Sequence, residues 1–358
     1  MAVSFVFLAN GFGIGTWAAS IPGIQAALGL TGTALGFGLL MLAAGAMAAM
    51  PTAGWLGARR GGLVAPVGGL FAAALLLPLI APGYAALLPA LFVLGAFNGA
   101  LDVLMNAHAA RVETAHGRPI MSSFHAAWSL GGLLGAGGTA AAIHFGMPAL
   151  PAAAAVVAGL VGLAAWVGLG DAVSAGAAGG FAWPSRAVAG IGVLCFLAFM
   201  TEGAVADWSG VFMRTVAGAS AAAATAGFAG FSAAMVLGRV FGDALVLRFG
   251  PAAMLRGGAM LAAAGFALAV VWPAAAAAGF ALVGLGTANM APLLFSAASR
   301  AGPAASTGVA AVATLGYAGL LLGPPVVGVA ADVLGLRGAL GLLVVAAGVL
   351  AAARLRAP

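Results

Sequence analysis

The sequence predicts an all-α membrane protein: twelve transmembrane helices in two pseudo-symmetric six-helix bundles, with both termini cytoplasmic. Three observations carry this expectation. They are an apolar composition, a one-sided distribution of arginine, and register marks that recur in the two halves of the chain.

Of the 358 residues, 64% are hydrophobic and 6% are charged, and the mean hydropathy is +1.18. A soluble domain carries roughly 25% charged residues, so this chain cannot coat itself for water. Its formal charge of +6 does not indicate nucleic acid. The 13 basic residues are all Arg, placed singly or in pairs, with no basic stripe to follow a phosphate backbone. One cysteine, Cys195, sits in an apolar run, which excludes a disulfide framework and a Cys-based metal site.

A helix needs roughly 20 apolar residues to cross the hydrocarbon. Pro, Gly, Arg and Asp divide the chain into segments near 1–20, 33–56, 63–81, 84–110, 121–145, 149–169, 187–205, 219–247, 257–273, 275–298, 306–331 and 338–353. The first lacks a basic n-region and reads as a membrane helix rather than a cleaved signal. The longest connection, "GDAVSAGAAGGFAWPSR" at 170–186, is Gly/Ala-rich and reads as a cytoplasmic linker. It separates an N-terminal half, 1–169, from a C-terminal half, 187–358.

Short loops rich in Lys/Arg stay in the cytoplasm. With the N-terminus inside, Arg59, Arg60, Arg111, Arg118, Arg186, Arg248, Arg256, Arg300, Arg354 and Arg356 all fall on the inner side. Arg214 and Arg337 fall outside, and Arg239 lies within a span.

The halves echo one another. "RRG" at 59–61 with Gly68–Gly69 returns as "RFG" at 248–250 with Gly257–Gly258. "LGAFN" at 94–98 returns as "LGTAN" at 285–289, and "SLGG" at 129–132 as "TLGY" at 314–317. Each pair falls on equivalent segments. Repeated halves around a site at mid-membrane are a secondary-transporter architecture.

With these features the chain resembles the major facilitator superfamily over essentially its whole length. The family signature G-x-L-x-D-R-x-G-R stands here as "GWLGARRGG", with Ala58 in place of the Asp and Arg59 retained. The resemblance implies a cytoplasmic gate, with Arg59 in the first half and Asp243 of "GRVFGDALVLRFG" in the second. "GALDVLMNA", "FHAAWSLGG" and "NMAPLLFS" resemble the fucose-permease-like branch, which couples sugar uptake to protons through an acid on the fourth helix. Asp102 matches that acid. The second acid of that branch, on the first helix, has no counterpart in "FVFLANGFGIGTWAASIP".

The polar residues inside the spans form the candidate site. Asp102 lies nine residues before Arg111, about 13 Å from the cytoplasmic edge at 1.5 Å per residue. Asn98, Asp102 and Asn106 share one helix face at i, i+4 spacing. A carboxylate at such depth costs at least about 2.5 kcal/mol and must face a cavity or a partner. Asp102 is therefore the candidate proton carrier, and the alternative is a hydrogen bond to a neighbouring helix. Asn98 and Asn106 can bind solute or glue helices.

Glu202, in "TEGAVADWSGVF", is the second candidate proton-coupling acid, against a snorkelling role. Asp207 reads as boundary or gate, and Trp208 as interfacial belt. His125 shares a face with Ser122 and Ser129, and its ring suits a polar solute or a proton relay. Trp128 offers an apolar platform, against core packing. Asn10 and Asn289 are similarly deep, and Pro292 would free backbone groups near Asn289. Arg239 and Asp243, one turn apart, read as a gate latch near the cytoplasmic end. His108, His116 and His144 read as interfacial, and no pair has metal-ligand spacing.

These features point to a non-enzymatic secondary transporter of a small polar, sugar-like solute in a bacterial inner membrane, proton-coupled and, by the resemblance, monomeric. No cofactor or metal is implied, and no nucleotide-binding G-x-x-x-x-G-K-[ST] loop occurs. An efflux antiporter is the alternative. A membrane enzyme or a sensor fits the isolated acids and short loops less well.

Overall fold

A computed structural model describes residues 1–57, 59–116, 121–168, 186–301 and 305–353. Fourteen α-helices are ordered along the chain: α1 Ala2–Leu28, α2 Gly32–Gly57, α3 Val64–Ala74, α4 Leu77–Ile80, α5 Tyr84–His116, α6 Met121–His144 and α7 Ala149–Gly168. They continue as α8 Arg186–Thr215, α9 Ala221–Ala224, α10 Ala226–Phe249, α11 Pro251–Val271, α12 Ala276–Thr287, α13 Met290–Ala301 and α14 Ala305–Ala352. Among the described residues, nine helical stretches are long and apolar enough to cross a membrane, and Val64–Ile80 and Pro151–Trp166 are shorter apolar helices.

The departures from the expected segments have local causes. α3 gives way to α4 just before Pro78, which has no N–H for the helical ladder. α12 stops at Thr287 and α13 starts at Met290. Pro292 cannot donate to the Ala288 carbonyl, so the expected interruption beside Asn289 is present. α14 runs through the expected gap between the last two segments, and its Gly335, at φ 72 and ψ 157, breaks the helical path. α1 and α8 extend well past the predicted ends at 20 and 205. Hydropathy penalised the polar residues there, yet the structure keeps them helical and partly enclosed.

Helix pairs are held by glycine seams. A Cβ on Gly11 would run into the Trp128 carbonyl, and one on Gly131 into the Leu8 carbonyl, so α1 and α6 touch backbone to backbone. Gly45 meets the Phe92 carbonyl and Gly95 the Leu42 carbonyl in the α2–α5 seam. Small residues at such contacts let helices approach closely.

The same pairing occurs twice. In a first set, α1 packs on α6, α2 on α5 and α3 on α7. In a second set, α8 packs on the early part of α14 through Gly316 and Gly319. There α10 packs on α12, and α11 on the later part of α14, where Arg337 donates to the Val270 carbonyl at 2.6 Å.

The sets meet through α2 with α14, α6 with α10, and α1 with α8. At the end of the bundle carrying the α1–α2 turn, a Cβ on Gly36 would lie 2.8 Å from the Pro324 carbonyl, and one on Gly210 would lie 2.9 Å from Pro22. There Asp332 of α14 accepts from the backbone N–H groups of Gly32 and Thr33, each at 2.8 Å. These are orphan donors at the start of α2, and a carboxylate there also complements the helix dipole.

Candidate functional site

Between the two sets lies a cavity of about 350 Å³. The first set contributes Ile14, Trp17 and Ala18 from α1, a stripe from Leu39 to Met50 on α2, Asn98, Asp102 and Met105 from α5, and His125, Trp128 and Ser129 from α6. The second set contributes Glu202, Gly203, Ala206 and Asp207 from α8, Phe228, Phe231, Ser232, Met235 and Arg239 from α10, and Tyr317 to Pro324 from α14. The lining is apolar with a few polar groups, the usual make-up of a small-molecule site.

Asp102 faces this cavity, as its depth required. Asn106, one turn along α5, donates to its Oδ1 at 3.1 Å and to its backbone carbonyl at 2.9 Å. Asn106 does not line the cavity; it holds Asp102 from behind. Asn98 does line it, and accepts from the Asn10 side-chain amide at 2.8 Å.

Asn10 is 2% exposed and stands behind the wall rather than in it. Its carbonyl oxygen accepts from the Trp128 indole Nε1 at 2.7 Å. One amide thus ties α1, α5 and α6 together and fixes the Trp128 ring against the cavity. Asn10→Ala would leave the half-buried Trp128 donor and Asn98 acceptor at the cavity wall without their partner, at up to about 1–3 kcal/mol for each unsatisfied group. A clear drop in melting temperature in detergent is expected, with altered indole emission. Unchanged melting would show that the clamp contributes nothing.

Arg239 departs from its expected place near the cytoplasmic end. It lies in the cavity wall, donates to the Ser129 hydroxyl of α6 at 2.8 Å, and holds its guanidinium 3.9 Å from the Glu202 carboxylate. At that separation the pair interacts by charge rather than by a hydrogen bond. Arg239 therefore bridges the two sets and also offsets Glu202. His125, packed edge-on against Phe7 at 5.4 Å between centroids, lines the same wall.

Other expectations are corrected. Asn289 does not reach the cavity; it donates to the Gly238 carbonyl of α10 at 2.8 Å and packs against Gly242, which makes it interhelical glue. Arg59 is exposed just beyond the end of α2, in the loop after the second helix where the sequence puts it. His108 is 8% exposed and meets Arg111 at 3.1 Å, so it is interior rather than interfacial. Trp208 is 1% exposed and belongs to the core, because α8 continues past it. The side chains of Asp243, His116 and Ser122, with Arg118, Arg354, Arg356 and the linker at 170–185, lie outside the described residues.

By sequence Asp207 reads as a boundary residue. The structure places it in the cavity wall, four residues beyond Gly203 on the face that carries Glu202. Tyr317 and Ser232 join that wall and were not anticipated. The "TLGY" echo of "SLGG" gave no such signal, since it puts Tyr317 in register with Gly132, which does not line the cavity.

The comparisons with known proteins settle the family. The family model described as the Major Facilitator Superfamily matches residues 3–324. The chain belongs to the major facilitator superfamily. It is 37% identical to an uncharacterized MFS-type transporter of Yersinia pestis, over 99% of this chain and 96% of the relative. It is 35% identical to the membrane protein MosC of Rhizobium meliloti, over 98% of this chain and 88% of that one. Among solved structures, a mutant of the nucleoside transporter NupG superposes with a TM-score of 0.81 at 14% identity, covering 98% and 97% of the two chains. A bacterial homolog of the human lysosomal transporter Spinster gives 0.76 at 13% identity, covering 98% and 94%. At such identity the structural likeness speaks for the fold alone. The chain is an integral membrane protein of a transporter family, with its cavity where the two helix sets meet.

Proposed function

We propose that this superfamily member is a secondary active transporter that carries a small polar solute by alternating access and couples it to protons through Asp102. One observation carries the reading: a cavity walled by both helix sets holds Asp102 on one side and the Glu202–Arg239 pair on the other. A carboxylate in that position changes its surroundings whenever the sets rock, which is what a coupling proton requires. The small cavity favours a solute of one ring over a drug-sized molecule, and the resemblance of "GALDVLMNA" and "FHAAWSLGG" to the fucose-permease-like branch supports proton symport of a sugar-like solute.

Twelve spans follow if the two shorter apolar helices are counted and the path through α14 is divided at Gly335. The repeated helix pairing supports halves at 1–169 and 187–358, joined by 170–186. Arginine placement supports cytoplasmic termini in a bacterial inner membrane, and the family resemblance supports a monomer. In this orientation the α1–α2 turn is external, and the Asp332 contacts close the outer mouth.

The test uses proteoliposomes loaded with a pH-sensitive dye and a panel of sugars and cationic drugs. Solute-dependent proton entry is expected. Proton exit on adding drugs would make the protein an efflux antiporter, and substrate binding without flux would make it a sensor. Asp332→Ala removes the carboxylate that joins α14 to α2. With nitroxide labels at the exposed residues Ala27 and Val333, a several-fold rise in the long-distance population is expected. An unchanged distribution would show that Asp332 is no latch.

A further inference from the structure

The cavity holds more negative than positive charge, and what this says of the solute rests on the transporter reading above. Three carboxylates, Asp102, Glu202 and Asp207, face one guanidinium, Arg239, across the lining. With all three carboxylates ionised the lining is net negative, and with Asp102 protonated and His125 neutral it keeps one negative charge. Glu202 is offset by Arg239 at 3.9 Å, and Asp102 carries the coupling proton in the loaded state. Asp207 then remains as a single negative charge, with no ion pair or hydrogen bond to a described residue. An ionised carboxylate at membrane depth is costly unless something neutralises it.

A second orphan lies in the lining, contributed by α1 of the other set. Trp17 lines the cavity and is 3% exposed, and its indole N–H has no acceptor among the described residues. A buried donor of this kind is ordinarily paired. Trp17 belongs near Asp207, because the neighbouring Ala18 and Pro22 of α1 pack on Gly210, one turn beyond Asp207 on α8.

We infer that the transported solute is a small protonated amine bearing hydroxyl groups, its ammonium paired with Asp207 and a hydroxyl oxygen accepting from the Trp17 indole. One positive charge balances the one charge left over, and one acceptor satisfies the one orphan donor that lines the cavity; the other buried unpartnered groups, the Trp208 indole and the Ser209 hydroxyl, do not line it. An anionic solute would have to compete for Arg239, which Ser129 and Glu202 already engage, while adding to a negative lining. A neutral solute would leave Asp207 to be neutralised by a second proton, with no part in holding the solute. A divalent metal is disfavoured, because no three His, Cys, Asp or Glu groups among the described residues converge as a metal site requires.

The experiment is equilibrium binding in detergent, read as thermal stabilisation of the full chain with no gradient imposed. Two matched probe sets are titrated: D-glucosamine, D-glucose and D-glucuronate, and ethanolamine, ethylene glycol and glycolate. The cationic member of each set is expected to protect the wild type best. Asp207→Asn is expected to weaken that protection at least tenfold in affinity without affecting the neutral members, and Asp207→Glu is expected to keep the preference. Best protection by the neutral or anionic members, no protection by any amine, or full protection by amines in Asp207→Asn would each overturn the inference. If Asp207→Asn fails to fold, the wild-type ranking and Asp207→Glu still decide it. Amines that bind without moving protons would sink the coupling reading and leave this one standing, whereas proton entry with neutral solutes alone would do the reverse.

Discussion

Asp102→Asn is expected to abolish solute-driven proton entry, reducing it to the level of liposomes without protein. The replacement keeps the shape of the side chain and the Asn106 contact to the backbone carbonyl at 2.9 Å. It removes only the ability to exchange a proton. Solute counterflow, which needs no net proton movement, should survive in the variant. Folding should survive as well, because a neutral amide avoids the penalty of at least about 2.5 kcal/mol that a carboxylate meets at this depth. The decisive pattern is lost coupling with retained exchange and wild-type melting. Proton entry at the wild-type rate would make Asp102 a structural hydrogen-bonding group, and loss of exchange as well would make it a solute ligand.

Gly95→Val is expected to have the largest effect on stability. The new Cβ would overlap the Leu42 carbonyl oxygen, and neither partner can move without parting α2 from α5. Backbone is on one side of the contact, so no side chain can rotate away. Overpacking of this kind costs typically about 1–3 kcal/mol and sometimes more; here loss of a cooperative melt in mild detergent is the expected result. Gly69→Ala is the control: nothing lies within 4 Å of its Cβ position, and melting should be unchanged. Equal behaviour of the two variants would mean that the seam is loose in the folded protein.

The membrane-spanning helices were legible because hydropathy is a one-dimensional signal that a bilayer imposes directly. The stripe of Asn98, Asp102 and Asn106 was legible for the same reason, since i, i+4 spacing fixes a helix face. What it could not convey was which member would line the cavity and which would support it. Asn10 and Asn289 looked equivalent as deep amides. Yet Asn10 joins three helices behind Trp128, and Asn289 ties α10 through the Gly238 carbonyl. That difference arises from helix rotation and packing, which no local pattern records.

Asp207 and Trp208 were set at the boundary because hydropathy treats an acid as the end of a span. A cavity inside the bundle gives a carboxylate a polar setting without ending the helix. Arg239 was misplaced for a related reason: its near neighbour in sequence, Asp243, suggested a local pair, whereas its described partners come from α6 and α8.

The Asn10 clamp has a consequence for handedness. An amide engaged at both its oxygen and its nitrogen cannot turn over, so the Trp128 ring and the Asn98 carbonyl present one fixed chiral surface from α5 and α6. The facing wall, from α8, α10 and α14, belongs to the set that, in the proposed alternating access, swings past it. Mirror-image solutes would thus be told apart on the fixed wall before the moving wall closes. Enantiomer preference should then reside in initial binding and persist in variants that change only the rate of opening.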